Sequence, residues 1–361
     1  MTAIKKLDTY IIKKFLGTFF YAIGLIIIIV IIFDISEKID DFIEKQAPLT
    51  EIIFKYYLNF IPYFANLYSY LFTFIAVIYF TSRLASNSEI VAILSSGVSY
   101  RRLLRPYLIA AFFLAGFTFV LSNFLIPPAN KKRLEFEMMY IKNSQHSKEM
   151  NIHMQISPGT FIYAEHYNNE INVAYHFSIE KINETGLYYK LTSELARWDS
   201  TKASWTIEKY FIRTIDGLKE KIKSGKQIDT TLNLKPGDFM ENLHNVETMN
   251  WSQLNDYIAD EKLKGSDNLA YSQVEKQKRI AYPFATVVLT LIGVALSSRK
   301  MRGGIGLHLG AGLSLSFAFI LFMQITTTFA TNGNLPAFIA VWIPNIVFGA
   351  IGIYLIRKAP K

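Results

Sequence analysis

The sequence contains no cysteine, which excludes a disulfide framework, a thiol nucleophile and a thiolate metal site. It also lacks the local patterns that bring ATP or peptide chemistry into a chain. No G-x-x-x-x-G-K-[ST] phosphate loop occurs, and Gly225-Lys226-Gln227 is not one. There is no H-E-x-x-H, and no serine stands in G-x-S-x-G. The six histidines (His146, His153, His166, His176, His244 and His308) are scattered without ligand spacing, which favours surface or packing roles over metal binding. Internal repeats and low-complexity segments are absent as well.

A further scarcity is positional. The chain is 51% hydrophobic over 361 residues, and its apolar residues concentrate in charge-free windows: Phe15 to Phe33, Tyr56 to Ser82, Pro106 to Asn130, Ile280 to Ser298, and Gly303 to Ile356. The last is too long for one crossing and divides at the turn formers Thr331 to Pro336, so six transmembrane helices are expected. Proton- or sodium-driven transporters place Asp, Glu or Lys at mid-bilayer. Here only His308 comes near, close to one end of helix five, where it is expected to snorkel. Any energy source is therefore expected in another subunit, and the chain itself is not expected to be an enzyme.

Basic residues set an expected orientation. Lys5, Lys6, Lys13 and Lys14 precede helix one; Arg83, Arg101, Arg102 and Arg105 lie between two and three; Arg299, Lys300 and Arg302 lie between four and five; Arg357, Lys358 and Lys361 close the chain. The positive-inside rule makes these segments cytoplasmic, with both termini inside and helix one a retained signal anchor. The net charge of +9 then needs no nucleic-acid partner.

The same count places Lys131 to Arg279 outside. Stretches rich in Tyr, Ile, Thr and Trp, such as INVAYHFSIEKI and ASWTIEKYFIRTI, are separated by Asn, Asp, Gly and Ser, which predicts an all-β sandwich or barrel. Alternation along Trp205 to Ile212 is imperfect. From Asn250 to Arg279 helical periodicity returns: Trp251, Leu254, Tyr257 and Ile258 share a face, and Gly265 interrupts. The expected domains are 1–130, helices one to three with a cytoplasmic helix near 86–97; 131–250, the β domain; 251–279, a helical connector; and 280–361, helices four to six.

The cytoplasmic stretch Arg83 to Pro106 reads as a docking element. Ser86 and Glu89 stand in capping-box spacing, Gly97 offers a stop, and Val91, Leu94 and Val98 predict an apolar stripe. Small residues including Ala92 flank Glu89, so a partner's cation has room to approach its carboxylate; alternatively Glu89 only caps the helix and faces water. Aromatic residues on helix five either pack or line an apolar cavity, and the Gly- and Ser-rich start of that helix permits close contact or a movable gate.

LDTYIIKKF, SEIVAILSSGVS, MNWSQLNDYI with YSQVEKQKRIAYPFA, and GLSLSFAFILFMQ with LPAFIAVWIPNIVFGAIGIYLI together resemble the LptF/LptG permeases of lipopolysaccharide export, the opening and last helices leaning toward the LptG branch. The resemblance implies a multi-pass protein of the Gram-negative inner membrane whose periplasmic domain is a β-jellyroll. The implied partners are an LptF-like permease, an LptB-like ATPase dimer that binds the ATP, an LptC-like periplasmic protein, and lipopolysaccharide. No cofactor is implied for this chain. The Ser88-Glu89 pair with Val91, Ala92 and Gly97 maps onto the ATPase-coupling helix. Ile29 and Phe33 on helix one and Phe317, Phe319 and Phe322 on helix five map onto the substrate cavity and its gates. Two departures are Phe33-Asp34 where relatives carry a basic residue, and His308 at an arginine position. Two other readings remain: a mechanotransmitting or scaffold permease that conducts no lipid, and a lipid enzyme, disfavoured by the missing nucleophile, base and metal cluster.

Overall fold

The structure is a computed structural model and describes residues 5–141, 150–168, 171–184, 186–217, 219–239, 243–264, 266, 268–298 and 304–358. Gly265, Arg299, Lys300, Arg302, Lys361 and His146 lie outside the described residues. The chain divides into two compact units, one of Met1–Lys142, Val246–Trp251 and Ala270–Lys361, the other of Asn143–Asn245 and Ser252–Leu269.

The first unit is helical. In chain order it holds α1 (Lys6–Glu44), α2 (Leu49–Glu51), a π-helical segment (Ile52–Tyr57), α3 (Leu58–Leu67), α4 (Ser69–Ser86), α5 (Glu89–Ser95), α6 (Tyr100–Val120), a second π-helical segment (Leu121–Leu125) and α7 (Ile126–Tyr140). Past the strands and α8 (Trp251–Lys264) come α9 (Leu269–Ser297), α10 (Gly304–Thr331) and α11 (Ala337–Arg357). Among the described residues, six helical runs are long and apolar enough to cross a bilayer. Those of α4 and α9 are largely buried within the chain, and the other four are buried over only 17 to 33% of their apolar stretches. One core joins α1, α4, α5 and α6, with Val287 and Val294 of α9. A second joins α4 and α9 to α10 and α11. The two buried helices thus form a spine with a helix pair on either side.

Three helices outrun their apolar windows. Reading ends from the loss of apolar residues stops helix one at Phe33 and helix three at Asn130; the helices continue to Glu44 and Tyr140 because charged side chains propagate a helix once it is nucleated. At 39 residues α1 is about 58 Å long, near twice the ~30 Å hydrocarbon core. Likewise α9 starts at Leu269, so the second half of the expected connector is one helix with membrane helix four. The first described strand begins at Met150.

Six strands follow: β1 (Met150–Ser157), β2 (Thr160–Asn168), β3 (Val173–Asn183), β4 (Gly186–Asp199), β5 (Ser204–Asp216) and β6 (Lys219–Thr230). Every neighbour is antiparallel and the order follows the chain, so the described strands make one six-stranded meander sheet, the inserted β domain. Trp205 is fully buried, stacked 6.3 Å from Phe177, and its indole N–H donates to the Leu234 carbonyl at 2.8 Å. The imperfect alternation along β5 has a local cause. Lys209 is left-handed (φ 49°), and past it Tyr210 points inward while Phe211 is exposed. β6 carried no strand signal because it is an edge strand with scarcely any buried side chain.

Candidate functional site

The expected docking helix exists, though it starts differently from the capping-box expectation. Ser86 is the last residue of α4, and no side chain caps α5. The turn is made instead by Ser88, held left-handed at φ 65° and ψ 10°, with its N–H donating to the Ala85 carbonyl. Gly97 ends the element at φ 86°, a conformation natural to glycine, and the Ser99 hydroxyl accepts from the Arg102 N–H to begin α6.

The buried face of α5 is also other than the predicted stripe. Ile90 is buried and Ile93 and Leu94 pack beside it in the core shared with α1. Val91 is 54% exposed and Ala92 is exposed, while Val98 lies beyond the helix end. The outward surface is therefore Val91, Ala92, Ser95 and Ser96, small enough for close approach. Glu89 neither closes a box nor hangs free. Tyr10 donates to its Oε2 at 2.9 Å, and Asn87 to its Oε1 at 3.4 Å.

Two residues before Tyr10, Asp8 is buried and receives both terminal guanidinium nitrogens of Arg102, at 2.6 and 2.7 Å. Such a fork is the strongest geometry available to a carboxylate. Sequence reading missed it because 94 positions separate the partners.

The expected cavity residues part company. Ile29, Phe33 and Phe317 are 41%, 72% and 68% exposed. Phe319 does not join them: it is wholly buried between Tyr70 (5.8 Å) and Phe348 (5.1 Å), and Phe322 packs against the same core. The reason is helical period, since positions two apart face nearly opposite ways. Both α1 and α10 lie against α4. Of helix five's glycines, Gly312 meets α4 at Ile78, whereas Gly306 and Gly310 face open space. His308 is buried and does not snorkel.

Two polar clusters carried no sequence signal beyond an i,i+4 charge pair each. At Phe33-Asp34, the Asp34 carboxylate is met by Lys38 at 2.6 Å and by the Tyr56 and Tyr57 hydroxyls at 3.2 and 3.0 Å. Elsewhere Arg279, buried on α9, donates to the carbonyls of Met249 (2.7 Å) and Val246 (2.9 Å) and to Glu275 (3.2 Å). A cavity of about 130 Å³ adjoins it, lined by Tyr63, Asn66, Tyr271, Glu275 and Lys278 among others. Among the described residues no group of three or more His, Asp or Glu is placed to hold a metal.

The profile of the family described as "Lipopolysaccharide export system permease LptF/LptG" matches residues 9–358, nearly the whole chain. The chain belongs to the LptF/LptG family. It is also similar to an uncharacterized protein of Aquifex aeolicus (strain VF5), 25% identical over 191 residues, 53% of this chain and 50% of that protein. The chain thus spans about half the length of that curated relative. On this LptF/LptG chain the segment SEIVAILSSGVS forms the turn at Ser88, α5 and the Gly97 stop, and the last two quoted stretches form α10 and α11.

Proposed function

We propose that this LptF/LptG chain is one permease half of an ATP-driven exporter that extracts lipopolysaccharide from the inner membrane and hands it to a periplasmic bridge. ATP is bound by an LptB-like ATPase dimer docked on α5, an LptF-like permease completes the pathway, and an LptC-like protein joins in the periplasm. The observation carrying this reading is α5 itself, a short helix with an inward apolar face, an outward face of small residues and a carboxylate fixed at its rim. The exposed apolar faces at Ile29, Phe33 and Phe317 supply surface for a second permease and for acyl chains. In this reading both termini and α5 are cytoplasmic and the sheet is periplasmic.

The test is Glu89→Lys. Loss of the copurifying ATPase and of ATP-dependent lipopolysaccharide release supports the assignment; unchanged assembly and release sinks it. Truncating one side of a desolvated interfacial charge pair costs roughly 2 to 5 kcal/mol, ample to see in a pull-down.

One observation favours a second reading. Helices twice the bilayer's thickness, such as α1, suit a permease that transmits force to a periplasmic partner without conducting lipid. A photo-crosslinker at Phe317 or Ile29 separates the two, because only a conducting chain gives adducts with lipopolysaccharide during turnover.

A further inference from the structure

We infer that the first membrane helix is the direct output of the docking helix, with Tyr10 as the positioning residue that joins them and the Asp8–Arg102 fork as the second link. The inference rests on the reading of α5 as the surface that receives the ATPase.

Three contacts tie the two elements at one end of the bundle. The Tyr10 hydroxyl donates to Glu89 Oε2 at 2.9 Å across a separation of 79 residues. That oxygen is thereby fixed, and the other, Oε1, accepts the longer Asn87 contact at 3.4 Å. Asp8 is buried and grips Arg102 in the first turn of α6, just past the Gly97 and Ser99 turn that ends α5. Between these polar ties, Ile90, Ile93 and Leu94 pack into the core that holds Leu7 and Ile11. The docking helix is thus attached to α1 at its beginning and along its buried face, and the first turn of α6 beyond it is attached through Arg102.

The remainder of α1 is held differently. Phe15 is fully buried, stacked 5.6 Å from Phe80 and 6.4 Å from Tyr107. Past Ile23 the helix is mainly half-buried or exposed as far as Phe33. Its far end is held again, where Asp34 meets the Tyr57 hydroxyl and Phe42 packs with Tyr56 and Phe136, so α1 is a rigid rod loosely bound between two grips and pivots like a lever on the far one. A displacement of α5 of the size that a closing nucleotide-binding partner imposes reaches α1 through side-chain contacts, without crossing a flexible loop. The exposed residues Ile29 and Phe33 then move with it. Glu89 has two simultaneous duties in this scheme: one oxygen faces the partner's cation, the other holds the lever.

The experiment uses the purified complex in proteoliposomes and reads lipopolysaccharide released per ATP hydrolysed. In Tyr10→Phe the ring stays and the donor goes. The ratio is expected to fall roughly threefold to tenfold, the range that the loss of one hydrogen bond supplies, while the ATPase still copurifies and the thermal midpoint holds. Arg102→Lys is the second variant; it keeps the charge, loses the fork and is expected to lower the ratio in the same way. A merely structural role moves the midpoint and not the ratio. Parental ratios in both variants, in a complex where Glu89→Lys still abolishes docking, overturn the linkage alone. If Glu89→Lys leaves docking intact, the assignment of α5 falls first and this inference with it.

Discussion

Lys38 lies one helical turn beyond Asp34 on α1, its ammonium 2.6 Å from the carboxylate and 4.8 Å from the centre of the Tyr56 ring. Both side chains are largely withdrawn from solvent, at 19% and 11% exposure, and the Tyr56 and Tyr57 hydroxyls each donate a further hydrogen bond to Asp34. The aromatic shell continues through Phe42 and Phe136. The pair is therefore a satisfied polar knot inside an apolar cluster, and the basic side chain nearest Phe33 is already committed to an acid of its own chain.

Removing one partner leaves the other charge with poor hydration, which is the expensive way to break such a pair. Asp34→Ala is expected to destabilise by about 2 to 3 kcal/mol, somewhat below the 3 to 5 kcal/mol seen for fully buried pairs. The double variant Asp34→Leu with Lys38→Met is expected to cost less than either single change. Thermal unfolding in detergent measures both; a double variant worse than Asp34→Ala refutes this account of the knot.

Packing of the spine gives a second prediction. A methyl group added at Gly293 of α9 stands 2.9 Å from Val77 Cγ1 and 3.1 Å from the Phe74 ring, on the α4 face where both neighbours are wholly buried. Gly293→Ala is expected to push the two central helices apart at a cost of about 1 to 3 kcal/mol. Gly310 faces open space, so Gly310→Ala is expected to be neutral or to stabilise by up to ~1 kcal/mol through helix propensity. Equal effects from the two substitutions count against close α4–α9 packing.

Arg279 supplies the third. Its guanidinium ties α9 to the carbonyls of Val246 and Met249, beside the Tyr271 hydroxyl on Glu247. Lysine offers a point charge in place of the planar fork. Each lost hydrogen bond from a charged donor costs about 1.5 to 3 kcal/mol, so Arg279→Lys is expected to raise local opening of Leu243–Thr248 by more than tenfold. Amide hydrogen exchange across that segment, compared with exchange in β3 and β4, shows whether the loss is local.

The membrane helices and most of the strands were legible because each is written as a composition: apolar windows of spanning length, and β-branched or aromatic runs between turn formers. What stayed hidden depends on partners distant in sequence or on backbone conformation. Nothing near Tyr10 announces Glu89, nor does anything near Asp8 announce Arg102. Ser88 takes a left-handed turn that composition assigns to glycine, which displaced the start of α5 and turned Val91 outward. Phe317 and Phe319 look alike as letters, yet the helical period sends one outward and the other into the core. β6 was invisible because none of its side chains is fully buried, which leaves no apolar alternation to read.

Acid sensitivity of the sheet follows from three exposed carboxylates. Asp199 accepts from the Thr201 hydroxyl and N–H, and these hydrogen bonds hold its pKa below the usual carboxylate value. The Thr206 hydroxyl and then Lys202 do the same for Asp229, and the Arg213 guanidinium does so for Glu220. A group whose folded pKa is depressed contributes stability above its unfolded pKa, near 4, and loses it as pH falls through the lower folded value. These three groups therefore add nothing to pH dependence between about pH 8 and 5, and the sheet is expected to weaken progressively below about pH 4. Trp198 and Trp205 fluorescence, followed under denaturant at each pH, reports on the strands directly. Thr201→Ala returns Asp199 toward its ordinary pKa, so part of the acid-induced loss is expected to disappear while the protein starts from a lower stability at pH 7. A variant with full acid sensitivity would show that the Asp199 turn is not among its sources.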